Sequence, residues 1–207
     1  MVMHIDKIYD LMADKGFQKP RTGNLFFPAY IYTYHPEQEY AIREQIDLLI
    51  EKLKRPNHYL DSLVINIYEE LIEYLKGESF AGKSIFDSII EKEKEDPERA
   101  FSWVRNKLQS DKFIHYFTKK VQTHFHTTTE KKVYLILYGF GSAFPYLRAS
   151  ELLKKTEQLI KDFKVIIFYP GEYKDSKYSL FRILNDDNMY RANYLNRQLG
   201  ELIDYNE

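Results

Sequence analysis

Val133-Tyr134-Leu135-Ile136-Leu137-Tyr138 and Phe163-Lys164-Val165-Ile166-Ile167-Phe168-Tyr169 are the two runs that decide the fold. Each is almost continuously apolar, β-branched or aromatic, which suits a strand covered on both faces. Between them Leu152, Leu153 and Leu159 recur at helical spacing. Strand, helix and strand in that order make a βαβ unit, and so parallel strands joined by a right-handed crossover.

The same rhythm extends upstream. Ile5, Ile8, Tyr9 and Met12 predict a helix over about 3–15, closed by Gly16 and followed by a loop with Pro20 and Gly23. The run from Leu25 to Tyr34 reads as another strand buried on both faces, stopped by His35-Pro36. Ile42, Ile46, Leu49, Ile50 and Leu53 line one face of a helix from about Glu37 to Lys54, with acids at its start and Lys54-Arg55 at its end, as the helix dipole favours. Leu63 to Ile67 is a short strand, and Leu71, Ile72 and Leu75 continue a helix from Glu69 to Lys76. From Ser84 to about Phe125 the spacing predicts helices only: Ile85/Phe86/Ile89/Ile90, then Phe101/Val104/Leu108 behind Pro97, then Phe113/Phe117/Val121 behind Asp111. The charge run Glu91 to Asp96 reads as a solvated helix end. A last helix from about Met189 carries Leu195, Leu199, Leu202 and Ile203. The expected class is α/β: a mostly parallel sheet flanked by helices, with a central all-helical insertion or cap over about 77–130, in a single domain spanning 1–207.

Composition bounds the function. The 207 residues are 44% hydrophobic and 16% aromatic, with 18 Tyr and 14 Phe, enough for a substantial core and too apolar for disorder. Thirty Lys and Arg balance 31 Asp and Glu, so the chain as a whole has no general attraction for nucleic acid or anionic membrane. No cysteine is present, which excludes disulfides, thiolate nucleophiles and Cys-type zinc sites. The first residues alternate apolar with Asp and Lys too often for a signal peptide, and no run approaches membrane length, so a cytoplasmic location is expected.

In a parallel sheet, sites gather where loops leave the carboxyl ends of strands. Two such segments stand out: Gly139-Phe140-Gly141-Ser142-Ala143-Phe144-Pro145-Tyr146-Leu147-Arg148 and Tyr169-Pro170-Gly171-Glu172-Tyr173. They read either as a binding crevice with Arg148 as an anion anchor, or as glycine turns, a capping Ser142 and a buried Arg148–Glu172 pair that shape the sheet edge.

These segments, GFGSAFPYLR and FYPGEY, together with MYRA at 189–192, resemble the BrxB family of bacterial BREX phage-defence systems. The early FFPAYIYTYHP at Phe26 to Pro36 and Arg43 after it resemble that family too, so the likeness spans most of the chain and is weakest from about Gly77 to Glu130. The resemblance implies a cytoplasmic, non-catalytic subunit that works beside a PglZ-type alkaline-phosphatase-superfamily protein, an ATPase and a DNA methyltransferase. The family-like positions are Gly139, Gly141, Pro145, Leu147, Arg148, Pro170, Gly171, Glu172, Tyr173, Tyr190 and Arg191, to which the aromatic Phe144 and Tyr169 add interaction surface. Neither a cofactor nor a metal is implied.

Two other signals compete. Gly77-Glu78-Ser79-Phe80-Ala81-Gly82-Lys83-Ser84 matches the phosphate-loop pattern G-x-x-x-x-G-K-[ST], in which Gly77, Gly82, Lys83 and Ser84 would hold a nucleotide. That mechanism needs a strand running into the loop, whereas Glu69 to Lys76 reads as a helix, and no apolar strand ends in a metal-holding aspartate. Arg105 to Lys132 holds seven Lys/Arg against two Asp/Glu, a patch for nucleic acid or an ordinary solvated face. His124 and His126 would share a face in a strand, but no third metal ligand is evident. The leading expectation is an interaction module, with a nucleotide binder and a DNA-contacting subunit as alternatives.

Overall fold

The computed structural model describes residues 5–19, 27–55, 59–126, 132–160, 163–186 and 192–204. In chain order the elements are α1 (Ile5–Ala13), β1 (Ala29–Tyr34), a 3-10 turn (Pro36–Gln38), α2 (Glu39–Leu53), β2 (Asp61–Asn66), α3 (Ile67–Gly77), β3 (Ser79–Phe80), β4 (Lys83–Ser84), α4 (Ile85–Glu95), α5 (Pro97–Leu108) and α6 (Asp111–His126). There follow β5 (Lys132–Tyr138), α7 (Phe140–Ala143), α8 (Ala149–Thr156), β6 (Lys164–Lys174), β7 (Lys177–Leu180), β8 (Leu184–Asp186), β9 (Asn193–Tyr194) and α9 (Leu195–Asp204).

The main sheet runs β2-β5-β6-β1-β9, and each neighbouring pair along that path is parallel. This confirms an α/β fold with a mainly parallel sheet between helices. Strand alternation sorts the core: Ala29, Ile31, Ile65, Leu135, Leu137, Val165 and Ile167 face the layer of α3 to α8, while Tyr30, Tyr32, Ile136, Ile166 and Phe168 face α1, α2 and α9. Every residue of β1 is buried, as a central parallel strand requires.

The helices of the 77–130 stretch share the sheet's own core. Ile85, Ile89, Val104, Leu108, Phe113, Phe117 and Val121 lie in one buried cluster with the strands. Ser84 caps α4 by accepting from Asp87 N–H, and Asp96 caps α5 by accepting from Arg99 N–H with Pro97 in the first turn.

One strand runs further than its sequence indicates. β6 continues through Tyr169-Pro170-Gly171-Glu172-Tyr173, the segment expected to be a loop, and folds back antiparallel as β7, which pairs in turn with β8. Proline is tolerated because β5 pairs with β6 only as far as Ile167, so no ladder donor is needed at Pro170, and the Pro170 carbonyl accepts from Phe181 N–H at 2.8 Å. Two further differences are smaller. α8 ends at Thr156, short of Leu159, and β9 occupies 193–194 within the stretch assigned to the last helix.

Candidate functional site

The chain leaves β1 towards α2 on one face of the sheet, whereas β6 stays with its hairpin on the other. Neighbouring connections part at this β1/β6 boundary, the place where open α/β sheets hold what they bind. Two arginines bridge it. Arg43 of α2 donates through Nε to Glu39 Oε1 at 3.0 Å, pairs with the same oxygen through Nη2 at 2.9 Å, and reaches Ser142 Oγ of α7 at 3.1 Å. Arg182 donates through Nε to Glu172 Oε2 at 3.2 Å and places Nη1 3.2 Å from His35 Nε2.

Tyr34 supports the first bridge from below by donating its hydroxyl to Glu39 Oε2. Burial, with the Glu39 charge beside it, pushes the Tyr34 hydroxyl far above its ordinary range, so it stays protonated and serves as a fixed donor. Outside the bridges stand two large apolar side chains, Tyr40 and Ile183, each 79% exposed. The Arg43 guanidinium lies 5.9 Å from the centre of the Tyr40 ring.

Most of the expected site residues lie inside this edge and shape it. Gly139 adopts φ +82°, and a methyl group there would overlap Asn66 Oδ1, the atom that caps α3 by accepting from Tyr68 N–H. At Gly171 a methyl group would overlap the Ser179 carbonyl of β7. Gly141 packs against Pro170 and Phe181. Tyr169 is fully buried and donates to Asp186 Oδ2 at 3.1 Å. Burial raises the Asp186 pKa, opposed by hydrogen bonds from Ser150 and Tyr169 and by the Arg148 charge. Tyr173 packs its ring 4.6 Å from both Tyr178 and Tyr194.

The expected Arg148–Glu172 pair is replaced by two other contacts. Arg148 donates through Nη1 to the Asn185 carbonyl at 3.2 Å and lies over the Phe144 ring, while Glu172 is held by Arg182. The reason is the β6–β7 extension, which brings Arg182 to Glu172 and leaves Arg148 at the start of α8, where Glu151 accepts from its backbone N–H. Pro145 is exposed, and Tyr190 and Arg191 lie outside the described residues.

Sequence reasoning named Arg43 but missed Tyr40, Arg182 and Ile183. Tyr40 was legible as a large apolar residue off the Ile42/Ile46/Leu49/Leu53 stripe. Arg182 and Ile183 were not, because their turn depends on left-handed backbone at Phe181 and Arg182, φ +54° and +68°, which residue type does not announce.

The phosphate-loop match adopts different geometry. Gly77 ends α3, and β3 and β4 form a hairpin in which Ser79 pairs with Ser84 and Phe80 with Lys83 around an Ala81-Gly82 turn. Ser84 Oγ is spent on the α4 cap, and Lys83 pairs with Glu91. A strand delivering a loop of free N–H groups onto a helix is what the chemistry requires, and this hairpin lacks it.

His124 and His126 lie on helix α6, not a strand, so they point to different faces. Among the described residues no group of three His, Asp or Glu is placed to hold a metal ion, and no helix is long and apolar enough to cross a membrane.

A family model described as "BREX protein BrxB" matches residues 63–195. The chain is 26% identical over 192 residues to a protein named BREX protein BrxB from Bacillus cereus (strain H3081.97), covering 91% of this chain and 93% of that one. It is 23% identical over 164 residues to a protein of the same name from Escherichia coli O9:H4 (strain HS), covering 79% and 75%. No solved structure matches it significantly.

Proposed function

This chain belongs to the BrxB family of BREX proteins, and on that premise we propose that it is a non-catalytic docking module that holds a PglZ-type partner against the carboxyl edge of its sheet. Membership makes it a component of a BREX system, and BREX implies phage defence. The observation that carries the docking reading is the pairing of exposed Tyr40 and Ile183 with Arg43 and Arg182 across the β1/β6 boundary. Tyr and Arg are the side chains on which interface energy concentrates. Both arginines are already oriented, by Glu39 and Ser142 on one side and by Glu172 and His35 on the other, so less side-chain freedom is lost on binding.

The acids of the edge support recognition in preference to catalysis. Glu39 is held by Tyr34 and Arg43, Glu172 by Arg182, and Asp186 by Tyr169. The test is co-purification of the tagged chain with its PglZ-type partner. A Tyr40→Ala/Ile183→Glu double variant, altered only at solvent-facing positions, is expected to recover at least about tenfold less partner, the loss of about 1.4 kcal/mol that one interface anchor carries. Undiminished recovery would remove this edge from the interface.

A further inference from the structure

The main sheet has an open side away from the carboxyl edge. β2 is six residues long, ends the strand order and pairs only with β5, so among the described residues no strand lies beside its outer row of N–H and C=O groups. Every residue of β1 is buried, whereas Ser62, Leu63 and Val64 of β2 are only half-buried. Leu63 reaches the core under α3 to α8 and Val64 the core under α1, α2 and α9, so the strand is short of cover on both faces. The usual guards of a free edge are missing: Ser62 to Asn66 contain neither Lys nor Pro, and the register irregularity against β5 lies ahead of Ser62. At the opposite end of the sheet, β9 is only two residues long and offers little to pair with.

Charge along this open side is polarised. At the carboxyl end of β2 stand Glu69 of α3 and Asp47 of α2. Glu69 accepts from Asn66 Nδ2 at 2.9 Å, and burial, then the charges of Glu69 and Asp47, raise the pKa of Tyr138, the β5 residue paired with Asn66. Arg43, which also acts on Tyr138, is already held by Glu39. At the amino end stand Lys54 and Arg55, because the Leu53 carbonyl accepts from Leu60 N–H at 2.8 Å directly before β2. Both are exposed, and Lys54 keeps only a surface contact with Glu51 at 3.8 Å. Exposed tyrosines flank both ends, Tyr59 before the strand and Tyr68 after it.

We propose that β2 pairs antiparallel with β2 of a second copy of this chain, about a two-fold axis normal to the sheet, and joins two sheets into one. The charges choose this occupant. The axis sets Asp47 and Glu69 of each copy beside Lys54 and Arg55 of the other, and Tyr59 of each beside Tyr68 of the other. Parallel pairing would set acid beside acid and base beside base. A strand from a uniformly acidic or uniformly basic protein would meet one end of β2 with like charge.

The proposal is tested by sedimentation velocity over a concentration series, with amide hydrogen exchange of β2 followed at both ends of the series. Wild type is expected to dimerise, and the amides of Ser62 to Asn66 to exchange more slowly as dimer forms. Asp47→Lys and Lys54→Asp, both at exposed positions, are each expected to weaken the dimer at least about tenfold, because the two-fold axis repeats every lost pair. An equimolar mixture of these two variants is expected to regain dimerisation, since each supplies the charge that the other needs. The Tyr40→Ala/Ile183→Glu variant is expected to dimerise as wild type does, which separates this side from the proposed partner edge. A wild-type chain still monomeric at about 100 μM overturns the proposal. So does a dimer that neither single variant weakens, or a mixture that stays monomeric. Protection of β2 that appears only when a PglZ-type partner is added overturns it as well, and gives the open side to that protein.

Discussion

At Gly171 an added methyl group would overlap the Ser179 carbonyl, and at Gly139 it would overlap the Asn66 side chain, whereas around Gly77 and Gly82 it would meet nothing within 4 Å. The two glycine-bearing segments look equally purposeful when written out. In the fold, one is pressed between β6, β7 and α3, and the other is a hairpin in solvent whose Phe80 is 75% exposed. The difference teaches that a glycine's meaning lies in its neighbours. Gly139 and Gly171 are demanded by contacts from residues far away in sequence, while Gly82 answers only to its own φ of +81°.

The largest effect that tests this contrast is expected at Gly171. Gly171→Ala must push β7 off β6, and with it the Arg182–Glu172 bridge, at a cost of roughly 3 kcal/mol or more, with Gly139→Ala somewhat less severe because the Asn66 side chain can swing away. Denaturant unfolding measures both. A loss under about 1 kcal/mol at Gly171 would mean that the hairpin does not press on β6 as described.

The next effect compares two lysines. Lys83 sits in the hairpin and pairs with Glu91 at the surface, while Lys164 is fully buried at the start of β6, with Nζ 3.0 Å from Tyr30 Oη and over the rings of Phe17 and Tyr30. Burial lowers the Lys164 pKa from 10.5 to about 8. Between those values the unfolded chain binds more protons than the folded one, so stability rises with pH from about 8 towards 10, before unfolded tyrosines begin to titrate. Below pH 8 the cost is constant. Lys164→Met is therefore expected to be more stable than wild type by about 1–3 kcal/mol at pH 7, with the gap narrowing above pH 8. A gap that does not change with pH would place the proton elsewhere.

The smallest effects belong to the hairpin. Lys83→Ala removes an exposed ion pair and is expected to change stability by less than about 0.5 kcal/mol. Millimolar ATP with magnesium is expected to leave the melting temperature of both proteins unchanged. A nucleotide-dependent rise lost in Lys83→Ala would restore the phosphate-loop reading and remove the contrast, since occupancy at 100 times Kd adds about 2.7 kcal/mol.

The elements legible in the sequence are those whose pattern is local. β1, β5 and the start of β6 are runs that burial on two faces explains, β2 is a short apolar run at the edge of the sheet, and α2 to α6 show one apolar face each at helical period. The continuation of β6 through Pro170 and Gly171 was not legible, because both residues signal a turn unless a partner strand is known to lie on one side and absent on the other. At the site, Gly139, Gly141 and Gly171 stood out as special positions, open to two readings, a binding crevice or turns that shape the sheet edge. Only the fold shows what surrounds them: Asn66, Pro170 and Ser179 leave no room for a side chain at these three positions.

What the amino-acid order determined by itself was a chain of helices and buried strands, neutral overall, with a basic stretch at 105–132 and family-like segments at 139–148 and 168–173. Side-chain periodicity suffices for that, because each element must bury its own apolar face. Only the tertiary structure decided that β1 lies beside β6, that Arg43 and Arg182 close the boundary between them, and that Tyr40 and Ile183 are left facing solvent. Those facts follow from which strands pair and how closely their backbones approach, interactions between residues as much as 147 positions apart that no local pattern encodes.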